Sequence, residues 1–202
     1  MSPELLLALT VYAAVASVTP GPNTLMLLAS GVNFGFVRTI PHILGVVIGF
    51  AVMVTLVGLG LVGLFLGWPA ARQILQAVSV VYLLWLAWRI ANAAPPEGSR
   101  QPARPFGFLL AAGFQWVNPK AWVMAVGAIA LYAPGQDMAS VILVAAVFTA
   151  VNIPSAALWT GMGGALRTWL ESPARRRLFN RTMAFLLVLS LYPVLTGGLA
   201  GG

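Results

Sequence analysis

The sequence predicts an all-α integral membrane protein: six transmembrane helices arranged as two inverted three-helix repeats, with the first helix of each half broken. Three observations predict it. Of the 202 residues, 60% are hydrophobic and 7% charged, a balance that a water-soluble domain of this size could not carry on its surface. The apolar residues fall in six runs separated by short polar breaks, each run near the length of about 20 residues that crosses a bilayer. The positive side chains gather in alternate breaks, as they do when a chain weaves back and forth through a membrane.

Taken in order, the runs cover residues 4–28, 39–66, 70–91, 106–133, 138–163 and 181–200. The first resembles a signal peptide at "LLLALTVYAAVAS", but it has no Lys or Arg before its apolar stretch, carries Glu4, and resumes as apolar sequence directly after its break. It is therefore expected to remain as a span. Between the third and fourth runs lies the most polar interval, "NAAPPEGSRQPARPF", Asn92 to Phe106. It divides the chain into an N-terminal half (1–92), a cytoplasmic polar linker (93–105) and a C-terminal half (106–202).

The loops after runs one, three and five hold Arg38; Arg89, Arg100 and Arg104; and Arg167, Arg175, Arg176, Arg177 and Arg181. The opposite side holds only Arg72. By the positive-inside rule the first set faces the cytoplasm, which places both termini outside. The net charge of +7 is thereby explained as orientation in a bilayer, and nucleic acid is not an expected partner. Because each half has three runs, a repeat relationship between them has to be inverted. Secondary transporters use this plan, and its best pointer in a sequence is a pair of Gly/Pro-interrupted segments at corresponding positions.

Such a pair is present. In "SVTPGPNTLML", Ser17 to Leu27, the motif Pro20-Gly21-Pro22 removes backbone donors in the middle of the first run, and "FQWVNPKAW", Phe114 to Trp122, interrupts the fourth at a similar depth. The first break leaves unpaired amides where its second half-helix starts, a site suited to a carboxylate or another anion, with Asn23 adding a neutral donor and acceptor. The second places Lys120 well inside an apolar segment, where a full charge costs about 3 kcal/mol and normally faces a cavity or a partner. Snorkelling of a lysine near a span end is the alternative. Pro20, Gly21, Pro22, Asn23, Asn118, Pro119 and Lys120 are thus the candidate substrate-binding and gating residues. His42, Gln115 and Asn152 are further candidates for proton coupling or for lining the cavity. His42, near the cytoplasmic start of the second run, titrates near neutral pH when free, but also suits an interfacial histidine satisfied by backbone or water. Asn152, with Pro154, suits either a cavity wall or an interhelical hydrogen bond.

The carboxylates Glu4, Glu97, Asp137 and Glu171 all fall in loops or at segment ends, so an anionic or zwitterionic ligand is favoured over a cation. With no cysteine, one histidine and no nucleophile–base pair, neither an enzyme nor a metal site nor a cofactor is expected. "GLGLVG", Gly58 to Gly63, matches a dinucleotide fingerprint but lies inside an apolar run with no flanking strand. It reads as a packing surface, as do the pairs Gly31/Gly35 and Gly45/Gly49. Trp68 and Trp169 are expected in the interfacial aromatic belt, and Arg175–Arg177 as a topology anchor touching anionic lipid.

"TPGPNTLMLLASGVNFGFVRTIPHILGVVIG", Thr19 to Gly49, resembles the first conserved block of the LysE/RhtB superfamily of bacterial amino-acid exporters, and "FGFLLAAGFQWVNPKAW" its second. The likeness extends over essentially the whole chain in length, segment number and central polar loop. It is greater to the branch that exports cysteine and O-acetylserine than to the basic-amino-acid exporters. The resemblance implies an inner-membrane secondary exporter of small neutral amino acids or their derivatives, working by alternating access and driven by protons or by exchange as an antiporter. An ion channel, or an exporter of another small anionic or zwitterionic metabolite, is the alternative. Many members carry Asp after PGP; Asn23 here leaves His42, Lys120 or a substrate proton to carry coupling. The partners expected are the amino acid, membrane lipid, protons and a second copy of the chain.

Overall fold

The computed structural model describes residues 1–61, 69–92 and 105–192. Trp68, Gly63, Glu97, Arg100 and Arg104, singled out above, lie outside the described residues, as does most of the expected linker.

Helix α1 (Pro3–Val18) starts on a cap from Ser2, whose side chain accepts from the Leu5 amide at 3.3 Å. It stops at the first break, and α2 (Pro22–Phe34) continues at an angle of 54°. One residue, Gly35, then joins α2 to α3 (Phe36–Leu56). Its φ of +80° is left-handed, so a side chain there would be strained. A π-helical turn, Val57–Leu61, extends α3 and contains Gly60 at φ +96°. Next come α4 (Pro69–Ala91) and α5 (Phe108–Phe114), the latter running into a 3₁₀ turn, Gln115–Val117. After the second break come α6 (Pro119–Tyr132), α7 (Met138–Trp169) and α8 (Pro173–Leu189). The Asp137 carboxylate caps α7 by accepting from the Ser140 amide at 2.9 Å, and this bond holds its pKa below the ordinary value.

Among the described residues, α3 with its extension, α4 and α7 are each long and apolar enough to cross a membrane alone. The bent pair α1–α2, taken as one span, would be a fourth. The segments Phe108–Val117 and Pro119–Tyr132 are apolar but individually short. The helices overrun several expected boundaries: α2 reaches Phe34 rather than residue 28, α7 reaches Trp169 rather than 163, and α8 begins at Pro173 rather than 181. Arg167, counted above in a loop, is carried on the last turn of α7, and Arg175, Arg176, Arg177 and Arg181 on α8.

Glycine sets the closest contacts, as the sequence pattern leads one to expect. Any side chain at Gly31 would strike the Thr160 carbonyl on α7, and any at Gly163 the Leu28 carbonyl on α2, so the two backbones touch. Gly45 and Gly49 bring α3 equally close to Phe108–Ala112 of α5. Gly58 packs on Val141 and Ile129. The second helix of each half therefore lies on the other half's broken segment: α3 on α5, and α7 on α1 and α2, while α4 packs on α8. Large apolar side chains cover the outside, Leu109 at 82% exposure and Val37 at 76% among them, which suits hydrocarbon and not water. Trp169 is also exposed, with the Arg175 guanidinium 5.5 Å from its ring centre, as an interfacial anchor requires.

Candidate functional site

The chemistry of the first break follows from its prolines. A helical carbonyl bonds the amide four residues on, but Pro20 and Pro22 have no N–H to give Ala16 and Val18. The Gly21 amide, which would serve Ser17, donates instead to Thr24 Oγ1 at 2.8 Å, and that hydroxyl donates back to the Gly21 carbonyl at 2.9 Å. The carbonyl end of α1 is thus stripped of its usual donors. Two of its oxygens take side-chain donors from elsewhere in the chain: Ser155 Oγ donates to the Ser17 carbonyl at 2.9 Å, and Lys120 Nζ to the Thr19 carbonyl at 2.6 Å. On the far side of the break α2 starts from Gly21, a cap residue with no side chain to satisfy the first amides.

At the second break Asn118 is the cap of α6, and its side chain accepts from the Lys120 amide at 3.2 Å. This fixes the start of the helix that carries Lys120. Pro119 occupies the first helical position, where its missing N–H costs nothing. Trp122 Nε1 donates to the Trp116 carbonyl at 2.9 Å and staples the turn across the break.

The two breaks meet directly. Asn23 Nδ2 donates to Gln115 Oε1 at 2.8 Å, and Gln115 Nε2 donates to Asn23 Oδ1 at 3.1 Å and to the Ala111 carbonyl at 3.0 Å. Gln115 is fully buried, so this reciprocal amide pair, between residues 92 apart in sequence, is shielded from competing donors. The Lys120 stem passes over Gly21, where an added Cβ would lie 2.8 Å from Lys120 Cδ. Gly21 has extended backbone that any residue adopts (φ −176°), and a side chain there would meet the flexible end of Lys120 and displace it.

Beside these contacts lies a cavity of about 480 Å³, counting its open mouth. Gly21, Asn23, Asn118, Lys120 and Asn152, all expected from the sequence, line it together with Ser17, Thr24 and Ser155, which were not. Its remaining walls are apolar, Leu27, Val46, Phe50 and Met124 among them, and among the described residues no carboxylate lines it. Lys120 is the one charged lining residue among those described, and its ammonium ends on the carbonyl of Thr19. Gln115 is not in the cavity wall but ties the two breaks together behind it. Among the described residues no group of three metal-ligating side chains occurs.

His42 departs from expectation. It lies outside the cavity wall and is fully buried, with no hydrogen-bond partner at either ring nitrogen among the described residues and the Phe106 ring 5.6 Å away. The chain entering α5 folds over the start of α3 and encloses a side chain whose sequence position, just after Pro41, suggested the membrane surface.

The chain matches the family model described as LysE type translocator over residues 14–192. It is 32% identical over 139 residues to the cysteine/O-acetylserine efflux proteins of Salmonella typhimurium and of Escherichia coli K12, covering 69% of this chain and 71% of each of those proteins. No solved structure matches. A broken-helix pair meeting at a cavity, a family match over most of the length and these efflux relatives agree: the chain belongs to the LysE/RhtB family, alongside its cysteine and O-acetylserine efflux members, as a multi-pass inner-membrane transport protein and not an enzyme.

Proposed function

We propose that this protein exports small neutral amino acids or their derivatives, cysteine and O-acetylserine being the first to test, and that the cavity between the two breaks binds them. The observation that carries the reading is the convergence of an uncapped helix start, Gly21–Thr24, and the Lys120 ammonium on one cavity without a carboxylate. A substrate carboxylate would meet Lys120 and the first amides of α2, a charge-assisted arrangement. Asn23, Asn152, Ser17, Thr24 and Ser155 supply neutral hydrogen bonds suited to a hydroxyl, thiol or ester side chain. Relatives named as cysteine/O-acetylserine efflux proteins point to the same substrate class.

The working architecture is six spans in two inverted halves, residues 1–92 and 106–202 joined by the linker 93–105. Its support is the exchange of contacts between halves, α3 on α5 and α7 on α1 and α2, together with the two breaks. The arginine count supports a reading with both termini in the periplasm. In keeping with one shared cytoplasmic end, Arg167 lies beside Gly35, Asn33 hydrogen-bonds Asn180 at 3.4 Å, and Arg89 lies 5.1 Å from the Phe106 ring centre. Transport by alternating access, coupled to protons, completes the reading. One charge crossing a 100 mV potential supplies about 2.3 kcal/mol.

The test is uptake of labelled cysteine and O-acetylserine into inverted membrane vesicles. Lys120→Ala and Pro22→Ala are expected to lose most of the saturable uptake at matched protein levels. Unchanged uptake in both removes the site, and current without saturation or exchange replaces the exporter by a channel.

A further inference from the structure

The Lys120 contact has a second side. An ammonium seated on a backbone carbonyl 2.6 Å away is a bound cation, and that carbonyl is Thr19's, at the end of α1 just beyond Ala16 and Val18, whose donors the prolines have removed. The negative end of the α1 dipole points the same way. Gly21 leaves room for the lysine stem beside it, since a Cβ there would lie 2.8 Å from Cδ and 3.2 Å from Nζ and would push the flexible end of the lysine aside. Among the described residues nothing else charged lines the cavity.

We propose that the carbonyl end of α1 is a monovalent-cation site and that Lys120 is its built-in occupant, a tethered counter-ion. Removing the ammonium leaves a vacancy that a small primary ammonium or an alkali cation from solution fills. The tether also explains why a lysine rather than an arginine stands here. A compact ammonium with rotatable donors fits a single carbonyl oxygen, whereas the guanidinium fork is built for paired oxygens. The site is distinct in its ligand from the substrate reading above. That reading uses the positive charge that Lys120 presents to the cavity; this one concerns what the lysine itself is bound to.

The experiment is thermal unfolding of purified wild type and Lys120→Ala in choline, sodium and methylammonium chloride at equal ionic strength. Choline is the bulky control and methylammonium reproduces the end of the lysine side chain. Lys120→Ala is expected to unfold at a lower temperature than wild type in choline. Methylammonium is expected to raise its midpoint saturably, by about 3–6 °C at tenfold the dissociation constant, with sodium giving a smaller rise. Wild type, its site already filled, should move by less than about 1 °C. Equal responses of the two proteins, or no difference between methylammonium and choline for Lys120→Ala, overturn the proposal. Lys120→Ser serves as a second background if Lys120→Ala does not assemble. A variant that assembles only when methylammonium is present during extraction supports the site, and one that fails in all three salts counts against it. Cysteine and O-acetylserine added to wild type report on the cavity separately, so loss of the cation effect leaves the substrate reading standing, and loss of the amino-acid effect leaves the cation site standing.

Discussion

The two breaks use the same device and finish it differently. Both end a short apolar helix and restart it on a proline, Pro22 in one and Pro119 in the other. At Asn118 the restart is capped by its own side chain, so that helix end is satisfied from within. At Gly21 no side chain is available; Thr24 takes the amide and carbonyl of Gly21, and the other oxygens and amides of the break are left to partners that come from elsewhere: Lys120, Ser155 and, as proposed, the substrate. A closed break holds a residue in place; an open one receives something.

That contrast can be broken experimentally. The largest effect is expected from Gly21→Val, whose side chain would collide with the Lys120 stem; vesicle uptake should fall about a hundredfold, and uptake near wild type would show that the seat over Gly21 is dispensable. Next comes Gln115→Leu, which leaves the Asn23 amide without its buried partner and should lower the unfolding midpoint by about 3–8 °C. Adding Asn23→Leu should recover part of that loss, because two unsatisfied amides become an apolar contact, and strict additivity of the two substitutions would sever the pair. Asn118→Ala should cost only a cap, about 1 kcal/mol of stability, with uptake within a few-fold of wild type. If Asn118→Ala abolishes uptake while the protein stays folded, the second break is not closed in the sense used here. The smallest effect is expected from Ser155→Ala, which removes one neutral hydrogen bond to the Ser17 carbonyl; substrate affinity should weaken about two- to fivefold by direct binding measurement.

The breaks themselves were legible because proline and glycine act on the backbone locally, and Lys120 because a charge in an apolar run demands an explanation. Asn152 reached the cavity for the same reason. Ser17, Thr24 and Ser155 were not legible, since a hydroxyl in an apolar helix ordinarily returns its proton to the carbonyl four residues back. Thr10, Thr55, Ser79 and Thr149 do so, at 2.7–2.9 Å. Only the fold shows that Ser155 reaches across to α1 instead. The Asn23–Gln115 pair joins two residues whose types are unremarkable and whose separation in sequence hides them. His42 misled for a related reason: burial at a helix start depends on which chain covers it, and Phe106 does that from the far side of the linker.

Helix α2 has a joint at each end. Thr19–Gly21 lets it bend away from α1, and the single residue Gly35, in a conformation that favours glycine, links it to α3. Its closest approach to α7 is at Gly31 and Gly163, backbone against backbone, while Leu25 to Leu28 are buried in the core around it. A short rod jointed at both ends can tilt as a unit about such a close contact, carrying its core side chains with it. Any rearrangement that turns the cavity from one face of the membrane to the other would meet its least resistance there, and a bulky residue at Gly163 would act as a brake.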